Sequence, residues 1–144
     1  MERDTVWETA RELIESGTKV RIKLSGMSMF PQLKPGYYAV VEKIQLEHLQ
    51  PGDILAFQQN NNYVLHRLIH VENEVCICKG DAHNYMDPPV QYQMIIGRVE
   101  QIHSAGQMRL LLSAKEKRKA RRIVRFSYWY YLKAKVMIKL FWRG

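Results

Sequence analysis

The chain has 144 residues, 47% of them hydrophobic and 25% charged, a balance that fits about one globular domain and excludes a disordered or fibrous protein. Its formal charge of +8 belongs to one end: residues 113–144 carry eleven Lys/Arg against the single acid Glu116, while residues 1–112 carry eleven against thirteen. No run of about 18 uncharged apolar residues occurs, so no spanning helix is expected, and the N-terminus lacks the pattern of a cleavable leader.

Thr5 with Glu8 three residues on reads as a capping box. Trp7, Ala10 and Ile14, beside Val6 and Leu13, then recur at helical spacing up to Gly17. The pattern predicts a helix over about 5–16 that packs against the rest. From Lys19 to Leu112 short β-rich runs alternate with turn residues. The candidate strands are 20–24, 37–43, 53–57, 63–71, 75–79, 95–102 and 108–112. Breaks fall at Pro35-Gly36, Pro51-Gly52, Asn60-Asn61-Asn62, Glu72-Asn73-Glu74, Pro88-Pro89 and Ala105-Gly106. The expected fold is mainly β, a compact barrel-like or folded antiparallel sheet with a helix at each end.

Residues 113–144 form a second region by composition. Phe126, Tyr130, Ala134, Met137 and Phe141 share one helical face, with Ile138 and Trp142 beside them. Arg121, Arg125, Lys135, Lys139 and Arg143 gather on another. A basic, aromatic amphipathic helix of this kind suits an anionic membrane surface, the favoured partner. A groove on another protein, the chain's own core or a nucleic acid are the other takers, and nucleic acid is not the expected one.

Cys76 and Cys78, two apart in a strand-like run, share a face and are expected to be buried thiols. With no second cysteine pair, neither a structural metal nor a cofactor is expected.

The run Ser25-Gly26-Met27-Ser28-Met29-Phe30-Pro31 places a serine on a turn between a glycine and a proline, a rigid setting suited to a nucleophile. Pro51-Gly52-Asp53-Ile54-Leu55-Ala56-Phe57 follows, then Val64-Leu65-His66-Arg67, then Lys79-Gly80-Asp81 with Asp87 six residues further on. In this order, over roughly 19–99, these segments resemble the signal peptidase I family and its wider relatives, which include the LexA-type self-cleaving repressors. Most bacterial members carry a lysine where this chain has His66; the His-Arg and Gly-Asp pairs are similar to the endoplasmic-reticulum and archaeal type. The chain departs from that family in lacking an anchoring apolar helix before the serine, which suggests a cytoplasmic protein peripheral on a membrane.

The resemblance implies a serine endopeptidase acting on an extended peptide or protein segment, with Ser28 as nucleophile, His66 as base, and Gly26, Met27, Met29 and Pro31 against the substrate. A neutral imidazole can take a serine proton near neutral pH, and a carboxylate on its other nitrogen orients it. Asp81 and Asp87 both match the acidic box; Asp87 is ranked first as partner of His66, with Asp81 in support. His70, at even spacing from His66, is the rival base. The backbone N–H of Ser28 is the natural oxyanion donor, and a second donor is unassigned. Two other readings are a LexA-type self-cleaving regulator and a non-catalytic membrane-surface binding module. Against self-cleavage, no Ala-Gly or Cys-Gly pair precedes Ser28.

Overall fold

The N-terminal apolar stripe folds as helix α1 (Glu2–Glu15) in the computed structural model, which describes residues 2–141. Ala10 and Ile14 are buried from it, and Trp7 stacks flat on Tyr63 with ring centroids 5.0 Å apart. The helix starts earlier than the capping box predicts, so Thr5 lies inside it and its carbonyl accepts the Thr9 hydroxyl at 2.8 Å. It stops at Gly17, whose N–H returns to the Ile14 carbonyl at 2.9 Å.

Eight strands follow: β1 (Val20–Lys23), β2 (Tyr38–Glu42), β3 (Ile54–Gln59), β4 (Asn62–Glu72), β5 (Val75–Lys79), β6 (Val90–Gln91), β7 (Ile95–Ser104) and β8 (Gln107–Leu110). All pair antiparallel, in the spatial order β1-β2-β7-β3-β4-β5-β6 with β8 on β7. Long β7 carries β2 along one edge and β3, then β8, along the other. The sheet is open. Of the two expected forms, closure into a barrel does not occur: β1 and β6 end the sheet, and β6, two residues long, offers no ladder to close on.

Strand β3 shows why the sequence here reads as one apolar run. Its Ile54 and Ala56 join Ile14, Met29, Leu33, Val41, Val99 and Ile102. Its Leu55 and Phe57 join Leu68, Cys76, Cys78 and Val90 on the opposite side. Alternate residues face opposite sides of a strand, so β3 is covered on both. The cysteines are free and buried; burial pushes the Cys76 thiol up to about 11 and Cys78 higher still, so neither is poised to react.

The basic region forms helix α2 (Ala114–Phe141), opened by the Ser113 hydroxyl accepting the Glu116 N–H at 3.3 Å. Its first half docks on the sheet. Ala120 packs against Gly52, where an added Cβ would sit 3.2 Å from the alanine's own. Ser127 is buried, and the Tyr128 and Tyr131 rings lie 5.2 and 6.1 Å from His70. Arg109 grips Glu116 with two prongs of 3.0 and 3.1 Å and holds that carboxyl below its ordinary range. The docked stripe is therefore a different one from the aromatic face that the sequence offers to a membrane surface. Phe126, Tyr130 and Met137 are exposed, because Ala120, Ser127 and two tyrosines make a less apolar stripe that fits the sheet better. The side chains of Ala134, Ile138, Phe141, Trp142 and Arg143, part of the expected pattern, lie outside the described residues. Among the described residues no helix is long and apolar enough to cross a membrane.

Candidate active site

The turn that carries Ser28 is a loop pinned at its base and plugged at its centre. Between β1 and β2 the Leu24 N–H meets the Tyr37 carbonyl and the Gly36 N–H meets that of Leu24, each at 2.8 Å. Further in, the Phe30 N–H turns back to Met27 (3.1 Å) and the Leu33 N–H to Met29 (2.9 Å), around a cis Phe30–Pro31 peptide. Met29 and Leu33 are driven into the core while Met27 and Phe30 stay exposed, which leaves Ser28 half-buried between anchored neighbours. Gly26, Ser28 and Met29 line a groove of about 830 Å³ with β1, Val64 and Leu65. Pro31 instead lines a cavity of about 370 Å³ beneath α2. The residues expected against a substrate thus divide between two hollows, with Met27 outside both.

His66 stands on β4 opposite Leu55, on the face of Val64 and Leu68, with the Phe57 ring edge-on at 6.0 Å. Its Nδ1 meets Asp87 Oδ2 at 2.5 Å, and both residues are buried. The Asp87 backbone is fixed by its N–H to the Cys78 carbonyl at 2.8 Å. Asp81 goes elsewhere: Arg67 Nε and Nη2 bind its two oxygens at 2.9 and 2.8 Å, while Nη1 holds the Gly52 carbonyl at 2.9 Å. A forked guanidinium and a carboxylate make the buried pair whose desolvation is best offset. The two aspartates therefore separate into one beside the imidazole and one that ties β4 to the acidic loop.

His70 is not on the His66 side. Strand β4 carries an extra residue between Leu68 and His70, which breaks the alternation. Val71 rejoins the Leu68 cluster, and His70 turns to the α2 tyrosines.

Three residues that the sequence reading gave no role in the site, Lys79 and Gly80 of the acidic box and His83 outside any motif, bring the loops together. Gly80 is the point of contact. The Ser28 carbonyl accepts the Ala82 N–H at 2.9 Å, and a Cβ on Gly80 would lie 2.7 Å from that oxygen and 2.8 Å from His83 Nδ1. His83 stands edge-on to His66, ring centroids 5.4 Å apart, and stacks on Tyr85 at 4.7 Å. Its Nδ1 is buried without a hydrogen-bond partner, and burial, then the neighbouring His66, pulls its pKa below the ordinary value. Lys79 donates to the Gly80 and His83 carbonyls at 3.0 and 2.7 Å and braces the turn, with burial lowering its pKa. The sequence showed Lys79 and Gly80 only as part of the acidic box, and His83, three residues after Gly80, carried no signal of its own.

Gly80→Ala should therefore push the acidic loop off Ser28, since a backbone carbonyl at 2.7 Å cannot swing aside as a side-chain tip would. The expected result is a stability loss of about 1–3 kcal/mol by chemical denaturation. An unchanged midpoint would show that the two loops do not meet as described.

Among the described residues neither the Ser28 hydroxyl nor His66 Nε2 makes a hydrogen bond, so the serine and the imidazole are not joined. The Ser28 N–H is likewise unengaged. His66, His83 and Asp87 offer ligating atoms within 4.8 Å of one another, three being the number of protein ligands that a catalytic zinc takes. No protein-family model matches this chain, and no curated protein matches it closely.

Proposed function

We propose that this protein is a serine endopeptidase that cuts an extended segment of a peptide or protein substrate. The observation that carries the reading is the buried His66–Asp87 hydrogen bond of 2.5 Å with Nε2 left free. With Nδ1 bound to a carboxylate, the imidazole is held as the tautomer whose Nε2 can accept a proton. In this mechanism a substrate strand lies in the groove along β1, with its scissile carbonyl over Ser28. Ser28 Oγ attacks that carbonyl as His66 Nε2 takes its proton, and the Ser28 N–H meets the developing oxyanion. His66 then protonates the leaving amine, and water releases the acyl group by the same route in reverse. Asp81 acts at a distance, holding the acidic loop through Arg67. The resemblance to signal peptidases and to the LexA-type group supports the assignment of Ser28 and His66, and the reading carries with it a cytoplasmic, membrane-peripheral location.

The test is to incubate the full chain with a library of random-sequence peptides and read new termini by mass spectrometry. Cleavage by the native chain and none by Ser28→Ala is the expected result. Equal cleavage by both, or none by either, would remove the serine mechanism.

A further inference from the structure

We infer that the outer face of α2 is a docking surface for an anionic lipid membrane. The helix carries two stripes. One, through Ala120, Ile123, Val124, Ser127, Tyr128 and Tyr131, is turned to the sheet and ends there; from Leu132 onward every described side chain is exposed. The second holds Phe126, Trp129, Tyr130, Val136, Met137 and Leu140, which are 68, 59, 49, 55, 46 and 68% exposed. At 3.6 residues per turn the centres of the two stripes lie roughly 150° apart, so the second cannot be reached by the fold's own sheet. An apolar face this long on a soluble surface needs a cover.

Charge decides which cover. Residues 113–144 carry eleven cations and one acid, and that acid is already bound by Arg109. Arg122, Arg125 and Lys133 fall on the outward side among the aromatics, and Lys133 Nζ stands 5.1 Å over the Trp129 ring. A second copy would bring the same dense positive charge against itself. A nucleic acid would satisfy the cations and stack on Trp129 or Tyr130, but it gives Val136, Met137 and Leu140 nothing to bury against. A leaflet with anionic headgroups satisfies both sets at once, cations to phosphates and apolar side chains below them. The face also runs on into the candidate site's rim: Phe126 and Tyr130 line one cavity with Pro31, His83 and Tyr85, and Tyr85 is itself 59% exposed. A bilayer that takes the helix meets the acidic loop as well.

The test uses the full chain in sedimentation with phosphatidylcholine vesicles, pure or with a third phosphatidylglycerol, at about 50 and about 500 mM salt. Binding should require phosphatidylglycerol and weaken in high salt. Replacing Arg122, Arg125 and Lys133 together by Gln should weaken it roughly 100-fold, about five-fold per cation. Trp129→Ser should weaken it roughly ten-fold or more. All four residues are exposed, so circular dichroism should show each variant folded. Ser28→Ala should bind as the native chain does, which keeps the result separate from the peptidase reading. The inference is overturned if the native chain ignores anionic vesicles at low salt or if the triple variant binds undiminished. It is overturned equally if the chain instead self-associates through α2, or binds a single-stranded oligonucleotide but no vesicle.

Discussion

Ser28→Ala, His66→Ala and the double substitution should all fall to the same residual rate of peptide cleavage, about 10⁴- to 10⁶-fold below the native chain. A nucleophile without its base, or a base without its nucleophile, does no more than neither, because in the proposed mechanism the two act in one proton transfer. The buried His66–Asp87 pair makes the histidine side specific. Asp87→Asn keeps the shape but favours the imidazole tautomer with its proton on Nε2, so it should lose about as much as a misdirected base does elsewhere, about 10⁴-fold. Arg67→Met should act differently. It frees Asp81 and the Gly52 carbonyl, and its effect belongs to stability and loop position more than to the chemical step. Losses that multiply in the Ser28/His66 double variant would show that His66 works elsewhere.

The β-rich middle was legible because it alternates or runs apolar between strong turn residues. The predicted strands overlap β1 to β5, β7 and β8, and only β6, with two residues and no periodicity, was missed. The facing of His66 was legible for the same reason. That of His70 was not, because a single bulged residue between Leu68 and His70 inverts the side-chain direction, and a bulge leaves no mark in a pattern of apolar residues. The ranking of Asp87 ahead of Asp81 as the neighbour of His66 agrees with the geometry. What stayed hidden is that Asp81 is the acid that the Arg67 fork takes from the opposite face of β4. The contact at Gly80 depends on two loops some fifty residues apart, with Ala82 bonded to Ser28, and no local spacing encodes it. Helix α2 was legible on one face only. Hydrophobic period finds the aromatic stripe, whose described residues Phe126, Tyr130 and Met137 are exposed, but gives no sign of the second stripe that meets the sheet, with alanine at Gly52 and tyrosines at His70.

That division of α2 makes two shortened chains behave in opposite ways. A chain ending at Tyr131 keeps the docked stripe and the Arg109–Glu116 pair, so it should unfold at the same temperature as the full chain while losing most vesicle binding. A chain ending at Leu112 loses the stripe itself. Among the described residues neither hydrophobic cluster contains a residue of α2, so the sheet should still fold. Partly uncovering the ground under Ile123, Val124, Tyr128 and Tyr131 costs about 1 kcal/mol each, half of what full burial of such side chains gives. The surface ion pair adds less than about 1 kcal/mol. For a domain near this size a loss of about 4 kcal/mol lowers the unfolding midpoint by on the order of 15 °C or more. Calorimetry on the three chains reads both numbers. If the chain ending at Tyr131 unfolds as early as the one ending at Leu112, the outer face of α2 is holding the fold together. If the chain ending at Leu112 loses no stability, the docked stripe contributes nothing.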